Sequence, residues 1–123
     1  MRGENGIAFS MPGGDVSGTA AGSRPVDLAH LARQTMGDRN LEQEVLALFV
    51  QQALSVRDRI VDADVGQRLL LAHGLKGSAR GVGAFAIADC ASAIELQPED
   101  TNTLKRLGAL IEEVRDFVAA ISR

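Results

Sequence analysis

The sequence predicts an all-α fold, an up-and-down four-helix bundle with a short additional N-terminal helix. Three observations carry that expectation. Apolar residues recur at three- and four-residue spacing through most of the chain, and no segment keeps the alternation of a strand. Helix-starting and helix-stopping residues interrupt that pattern at short intervals. The apolar residues, 46% of the chain, are almost all aliphatic: there are four Phe, no Trp and no Tyr, a poor supply for a β-sandwich.

Residues 1–25 are rich in glycine, serine and small polar residues, contain Pro12 and Pro25, and show no periodicity. They are expected to be a disordered tail or linker, leaving 26–123 as one helical domain. In it, "VDLAHLARQTMG" reads as a short amphipathic helix with Leu28, Leu31 and Met36 inward and Gly37 as its stop. Asn40, with Gln43 three residues on, resembles a capping box and opens a long helix to about Ala63. Its expected inner stripe is Leu41, Val45, Leu48, Phe49, Ala53, Val56 and Ile60. Asp64, followed by Gln67, caps a third helix that runs into a glycine-rich stretch and ends at Gly81 and Gly83. "AFAIADCASAIELQ" makes a fourth, with Ile87, Cys90 and Ile94 inward and Pro98 as its stop. The last begins near Thr101 and has the cleanest pattern, Leu104, Leu107, Ile111, Val114, Val118 and Ile121. There is no internal repeat.

Composition removes several classes of function. A net charge of −3 argues against a general nucleic-acid binder, whose affinity comes largely from phosphate contacts, and without Trp or Tyr few side chains are left to stack on bases. Cys90 is the only cysteine, so neither an internal disulfide nor a cysteine-rich metal site is expected. No apolar run approaches the roughly 20 residues that cross a bilayer, and the N-terminus has no continuous apolar core of a secretory signal. A cytoplasmic protein without membrane or nucleic-acid partners is expected.

The stretch that asks for an explanation is "LAHGLKGSARGVGA", residues 71–84, where Gly74, Gly77, Gly81 and Gly83 surround His73. A glycine inside a helix costs roughly 1 kcal/mol relative to alanine. At about 100° per residue, Leu71, Leu75 and Val82 lie opposite His73, so the imidazole faces solvent. On its own face are Gly66, Leu69, Lys76, Gly77, Arg80 and Ala84. An accessible imidazole, with positive charge on one flank and bare backbone on the other, suits a group that receives an anion from a second protein approaching closely. A phosphoryl group fits. Near neutral pH a ring nitrogen is available to attack phosphorus, and the work left to the protein is positioning and charge stabilisation, to which Lys76 and Arg80 would contribute.

These residues resemble the signature of histidine-containing phosphotransfer (HPt) domains, roughly H-x-L-K-G-[S/A]-[S/A]-x-x-x-G: His73, Leu75, Lys76, Gly77, Ser78, Ala79 and Gly83 match in order. The likeness extends from about Val26 to Ser122 in helix count and apolar spacing. Gly74 departs from it, because the family more often has Thr, Ser or Ala there. The resemblance implies that His73 is the phospho-acceptor, that Lys76 favours the phosphorylated state, and that Glu95 supports the ring from the neighbouring helix. Partner docking would fall on Leu69, Gly74, Gly77, Arg80, Gly81 and Ala84. It further implies a phosphorelay carrier between receiver domains, served by a hybrid sensor histidine kinase, with Mg2+ in the receiver and no metal or cofactor of its own.

Other features read more plainly. His30 is expected to be a packing or capping residue of the first helix, and Cys90 a core residue. No P-loop or dinucleotide-binding fingerprint is present, so the chain is expected to be a phosphocarrier and not an ATP-using enzyme. The alternative to a carrier is a docking or scaffold module that binds receivers or a kinase without being phosphorylated. An enzymatic role for His73, as a general base or phosphatase group, ranks last, because no second catalytic group is within obvious reach. The chain is expected to be a monomer, since the bundle buries its own apolar stripes.

Overall fold

The computed structural model describes residues 24–122, and residues 1–23 of the expected tail lie outside them. The described residues form five helices: α1 (Leu28–Gln34), α2 (Arg39–Ile60), α3 (Val65–Val82), α4 (Phe85–Leu96) and α5 (Thr101–Ile121). α3 packs on α2 and α4, and α5 packs on the same two, which closes the four longer helices into a ring in chain order. Short connections make successive helices antiparallel, and α1 lies against α2 and α3.

Aspartate starts four of the helices. The side chains of Asp27, Asp38, Asp64 and Asp100 accept from the backbone N–H groups of His30, Leu41, Gln67 and Asn102 at 3.0, 3.0, 2.8 and 3.0 Å. Each such cap is worth about 1 kcal/mol. The start of α2 is therefore not Asn40, as its spacing from Gln43 suggested, but Asp38. A carboxylate there satisfies a backbone donor and also meets the positive end of the helix dipole, which the Asn40 amide cannot do as well. The same helix ends at Ile60, short of Ala63.

The core is aliphatic, with Leu31, Ile60, Leu75, Ile87, Ile94, Leu107 and Ile111 among its fully buried side chains. On α2 it takes Leu46, Phe49, Ala53, Val56 and Ile60. Leu41 and Leu48, expected inside, are exposed, and Leu46, not foreseen, replaces them. Leu46 and Leu48 are about 200° apart around the helix, so only one can face inward, and Leu46 is in phase with Phe49 and Ala53. Ile121 is also exposed, in the last turn of α5. Cys90 is buried on the inner face of α4 and its thiol donates to Thr103 O at 3.5 Å; burial pushes that thiol's pKa up, so it is a packing residue and not a reactive one. His30 is half-buried with its ring edge-on to Phe85, centroids 5.2 Å apart.

Two helices end in the same hydrogen-bonded turn. After α3, Ala84 N–H donates to Ala79 O at 2.8 Å and Gly83 N–H to Arg80 O at 3.4 Å, with Gly83 at φ +89°. After α1, Gly37 N–H donates to Ala32 O at 2.9 Å and Met36 N–H to Arg33 O at 3.4 Å, with Met36 at φ +53°. This is the Schellman arrangement, whose left-handed residue is usually glycine. Met36 holds that place in α1 and is 93% exposed, so it is not the inward residue expected from spacing. Replacing it by glycine removes a left-handed strain and loses no packing. Met36→Gly is expected to stabilise the domain by about 0.5–1 kcal/mol, read as a rise in the thermal midpoint; a fall would show that the Met36 side chain makes contacts of value.

Candidate functional site

α3 carries His73 where the bundle axis leaves it facing outward, its side chain 72% exposed. Leu75 and Ala79, in the following turns, are fully buried and fix the rotation of the helix. The imidazole is not free to turn. Its Nδ1 lies 3.0 Å from Glu95 Oε2 on α4, and the other oxygen of that carboxylate, Oε1, pairs with Lys76 Nζ at 2.5 Å. Glu95 thus joins two residues of α3 that are almost one turn apart.

The chemistry of this trio follows from what each group can do. A carboxylate only accepts hydrogen bonds, so Nδ1 carries the ring proton and the lone pair lies on Nε2, on the solvent side. Hydrogen bonds from Lys76 and His73 hold the Glu95 carboxyl below the usual carboxylate range. A depressed pKa means that the contact is fully present above the ordinary glutamate range and is lost only as pH falls through the lowered value. Glu95 is therefore ionised throughout the neutral pH range.

The glycines leave the surface beside His73 open. A Cβ built on Gly74, Gly77 or Gly81 would have no heavy atom within 4 Å, so no contact inside this chain requires glycine at these three positions. Gly83 is different: a Cβ there would lie 2.9 Å from Asp27 O, and Asp27 N–H donates to Gly83 O at 2.9 Å. It seats the N-terminal segment against the α3–α4 turn.

Of the residues expected at this surface, Gly74, Gly77, Arg80 and Gly81 are exposed on α3, and Leu69 is 36% exposed one turn before His73. Lys76 is not a free cation turned to solvent, because it is committed to Glu95. Ala84 must be corrected. It is fully buried at the start of α4, since Gly83 has already turned the chain and the helical rotation that placed Ala84 beside His73 no longer applies. Leu70 was missed: it is 76% exposed, and the same rotation puts it about 60° from His73. Leu96, next to Glu95, is 84% exposed; nothing in the spacing of α4 marks it out.

Among the described residues no group of three or more His, Cys, Asp or Glu is placed to hold a metal ion, and no helix is long and apolar enough to cross a membrane. Compared with models of protein families, residues 44–123 match the Hpt domain. The matched part begins within α2, leaves out α1, and includes His73, Lys76 and Glu95. Comparison with curated proteins and with solved structures finds no match.

Proposed function

The chain belongs to the Hpt domain family of two-component phosphorelays, and from that premise we propose that it is a histidine phosphocarrier that takes a phosphoryl group from a receiver-domain aspartate onto His73 and passes it to the aspartate of another receiver. The observation that carries this reading is the pairing of an exposed His73 with Glu95, which leaves Nε2 unprotonated beside the bare backbone of Gly74, Gly77 and Gly81.

In the accepting step the Nε2 lone pair forms a bond to phosphorus while the bond from phosphorus to the aspartyl oxygen breaks, releasing the carboxylate. No proton has to move. The ring keeps its Nδ1 proton, becomes cationic in character, and is balanced by the Glu95 carboxylate. That retained proton also keeps imidazole a good leaving group, so the phosphoryl group can pass on to a second aspartate. Lys76 fixes the orientation of the carboxylate, and Arg80 adds positive charge on the same face for the transferring oxygens. Magnesium belongs to the receiver. A hybrid sensor kinase upstream, a monomeric carrier and a cytoplasmic setting complete the proposal, in which the chain has no kinase activity of its own.

The test is transfer itself. The purified chain is mixed with a receiver phosphorylated on aspartate, magnesium is present, and the label is followed. Acid-labile, base-stable phosphate on His73 is expected; stable binding without labelling, across a panel of receivers, would replace the carrier by the docking module. Gly77 gives a sharper check. A Cβ at Gly77 finds no neighbouring heavy atom within 4 Å, and Gly77→Gln removes a helix-interior glycine, so stability is expected to rise by about 0.5–1 kcal/mol. The same side chain stands where the receiver must approach, and transfer is expected to slow about tenfold or more. Normal transfer in that variant would mean that the open strip is not the docking surface.

A further inference from the structure

Arg68 lies on α3 in the turn before Leu71 and has no part in the signature around His73. Its three guanidinium nitrogens all reach backbone carbonyls: Nε donates to Ile60 O at 2.9 Å, Nη2 to Val61 O at 2.6 Å, and Nη1 to Pro98 O at 2.9 Å. The first two carbonyls belong to the end of α2, where helical carbonyls lack partners and a cation meets the negative end of the dipole. The third belongs to the connection between α4 and α5. One side chain on α3 thereby ties down the end of α2 and the exit from α4. Pro98 is three residues after Glu95, and Glu95 is in the last turn of α4, where a helix frays most readily. That last turn has no basic side chain of its own, and it is closed by the bond from Gln97 N–H to Ala93 O at 3.0 Å.

We propose that Arg68 is a positioning residue for His73: by holding the Pro98 carbonyl it fixes the end of α4, and so keeps the Glu95 carboxylate on Nδ1 and the lone pair on Nε2. A planar, forked cation is needed, since three acceptors in two segments must be met at once. A lysine in its place supplies the charge without the fork. The inference rests on the carrier reading only for its consequence in transfer; the positioning itself concerns this chain alone.

The experiment reads the tautomer of His73 from the nitrogen-15 shifts of its ring, in the full chain, at a pH where the ring is neutral. In the wild type the Nδ1–H form is expected to dominate. In Arg68→Gln the ratio of Nδ1–H to Nε2–H is expected to fall about tenfold, and in Arg68→Lys to fall less, with transfer from a phosphorylated receiver slowed in the same order. If Arg68→Gln does not fold, Arg68→Lys carries the test. A wild-type tautomer in the folded variant, with thermal stability lowered or not, would overturn the proposal and leave Arg68 as a simple cap of α2. The tautomer is read without any receiver. A wild-type chain that keeps Nδ1–H and yet accepts no phosphoryl group would overturn the carrier reading, while an Arg68-dependent ratio would still uphold the positioning.

Discussion

His73→Gln is expected to lower phosphoryl acceptance by at least about a thousandfold, to the detection limit, with almost no change in stability. The amide nitrogen of glutamine has its lone pair delocalised into the carbonyl and cannot attack phosphorus. No other group takes over: Cys90 is buried, and His30 lies on α1 with Nε2 closed off from solvent. The fold is spared for two reasons. The side chain of His73 is mostly exposed, and the glutamine amide can donate to Glu95 in place of Nδ1–H, so the Lys76–Glu95 pair keeps its geometry. The change in folding free energy is expected within about 0.5 kcal/mol. Label transfer and a thermal melt on the same sample check both halves. Labelling that persists in His73→Gln would place the acceptor elsewhere; a large loss of stability would make the missing label uninformative about chemistry, and His73→Asn would then replace it.

The site was legible in part because its chemistry is local. His73, Lys76 and Gly77 lie within little more than one turn of one helix, where sequence spacing is spatial spacing. Glu95 is not local: it comes from the next helix, and only the resemblance to the HPt family, not the spacing of its own helix, brought it to the ring. The structure adds what neither could supply, that one carboxylate serves both His73 and Lys76. Arg68 was invisible for the same reason in stronger form, since all three of its acceptors are main-chain carbonyls, and carbonyls have no sequence identity to read.

The fold shows the same boundary. Helix existence followed from periodicity and the α3 start from Asp64; the last helix was placed near Thr101 by its apolar pattern, and its cap is Asp100. The errors fell where two residues competed for one role. Leu48 follows Leu41 and Val45 at three- and four-residue spacing, but Leu46 is the one in phase with Phe49, Ala53, Val56 and Ile60, which α2 buries. Met36 fits the apolar rhythm of α1 but is already in the left-handed turn that ends it. Ala84 was carried past Gly83 by a helical rotation that stops there.

Gly83→Ala is expected to destabilise the domain by about 2–4 kcal/mol, a drop of about 10–25 °C in the thermal midpoint for a domain of this size. Two costs add. At φ +89° an alanine pays for left-handed backbone, and its Cβ would lie 2.9 Å from Asp27 O and 3.3 Å from Asp27 N and Cβ. The neighbour that must yield is main chain, and it is held: Asp27 N–H bonds Gly83 O, and the Asp27 side chain caps α1 through His30 N–H. Moving it would loosen Val26 and Leu31 from the core. Gly83→Asn separates the two costs. Asparagine tolerates the left-handed region but brings the same Cβ, so if close approach dominates it should be nearly as damaging as alanine, whereas recovery to near the wild-type midpoint would assign the effect to φ alone. His73 is more than two turns up α3 from this contact, so at temperatures where Gly83→Ala remains folded its transfer rate should stay close to that of the wild type. A variant that melts early yet transfers normally would show that Gly83, although part of the same signature as His73, serves the fold and not the phosphoryl group.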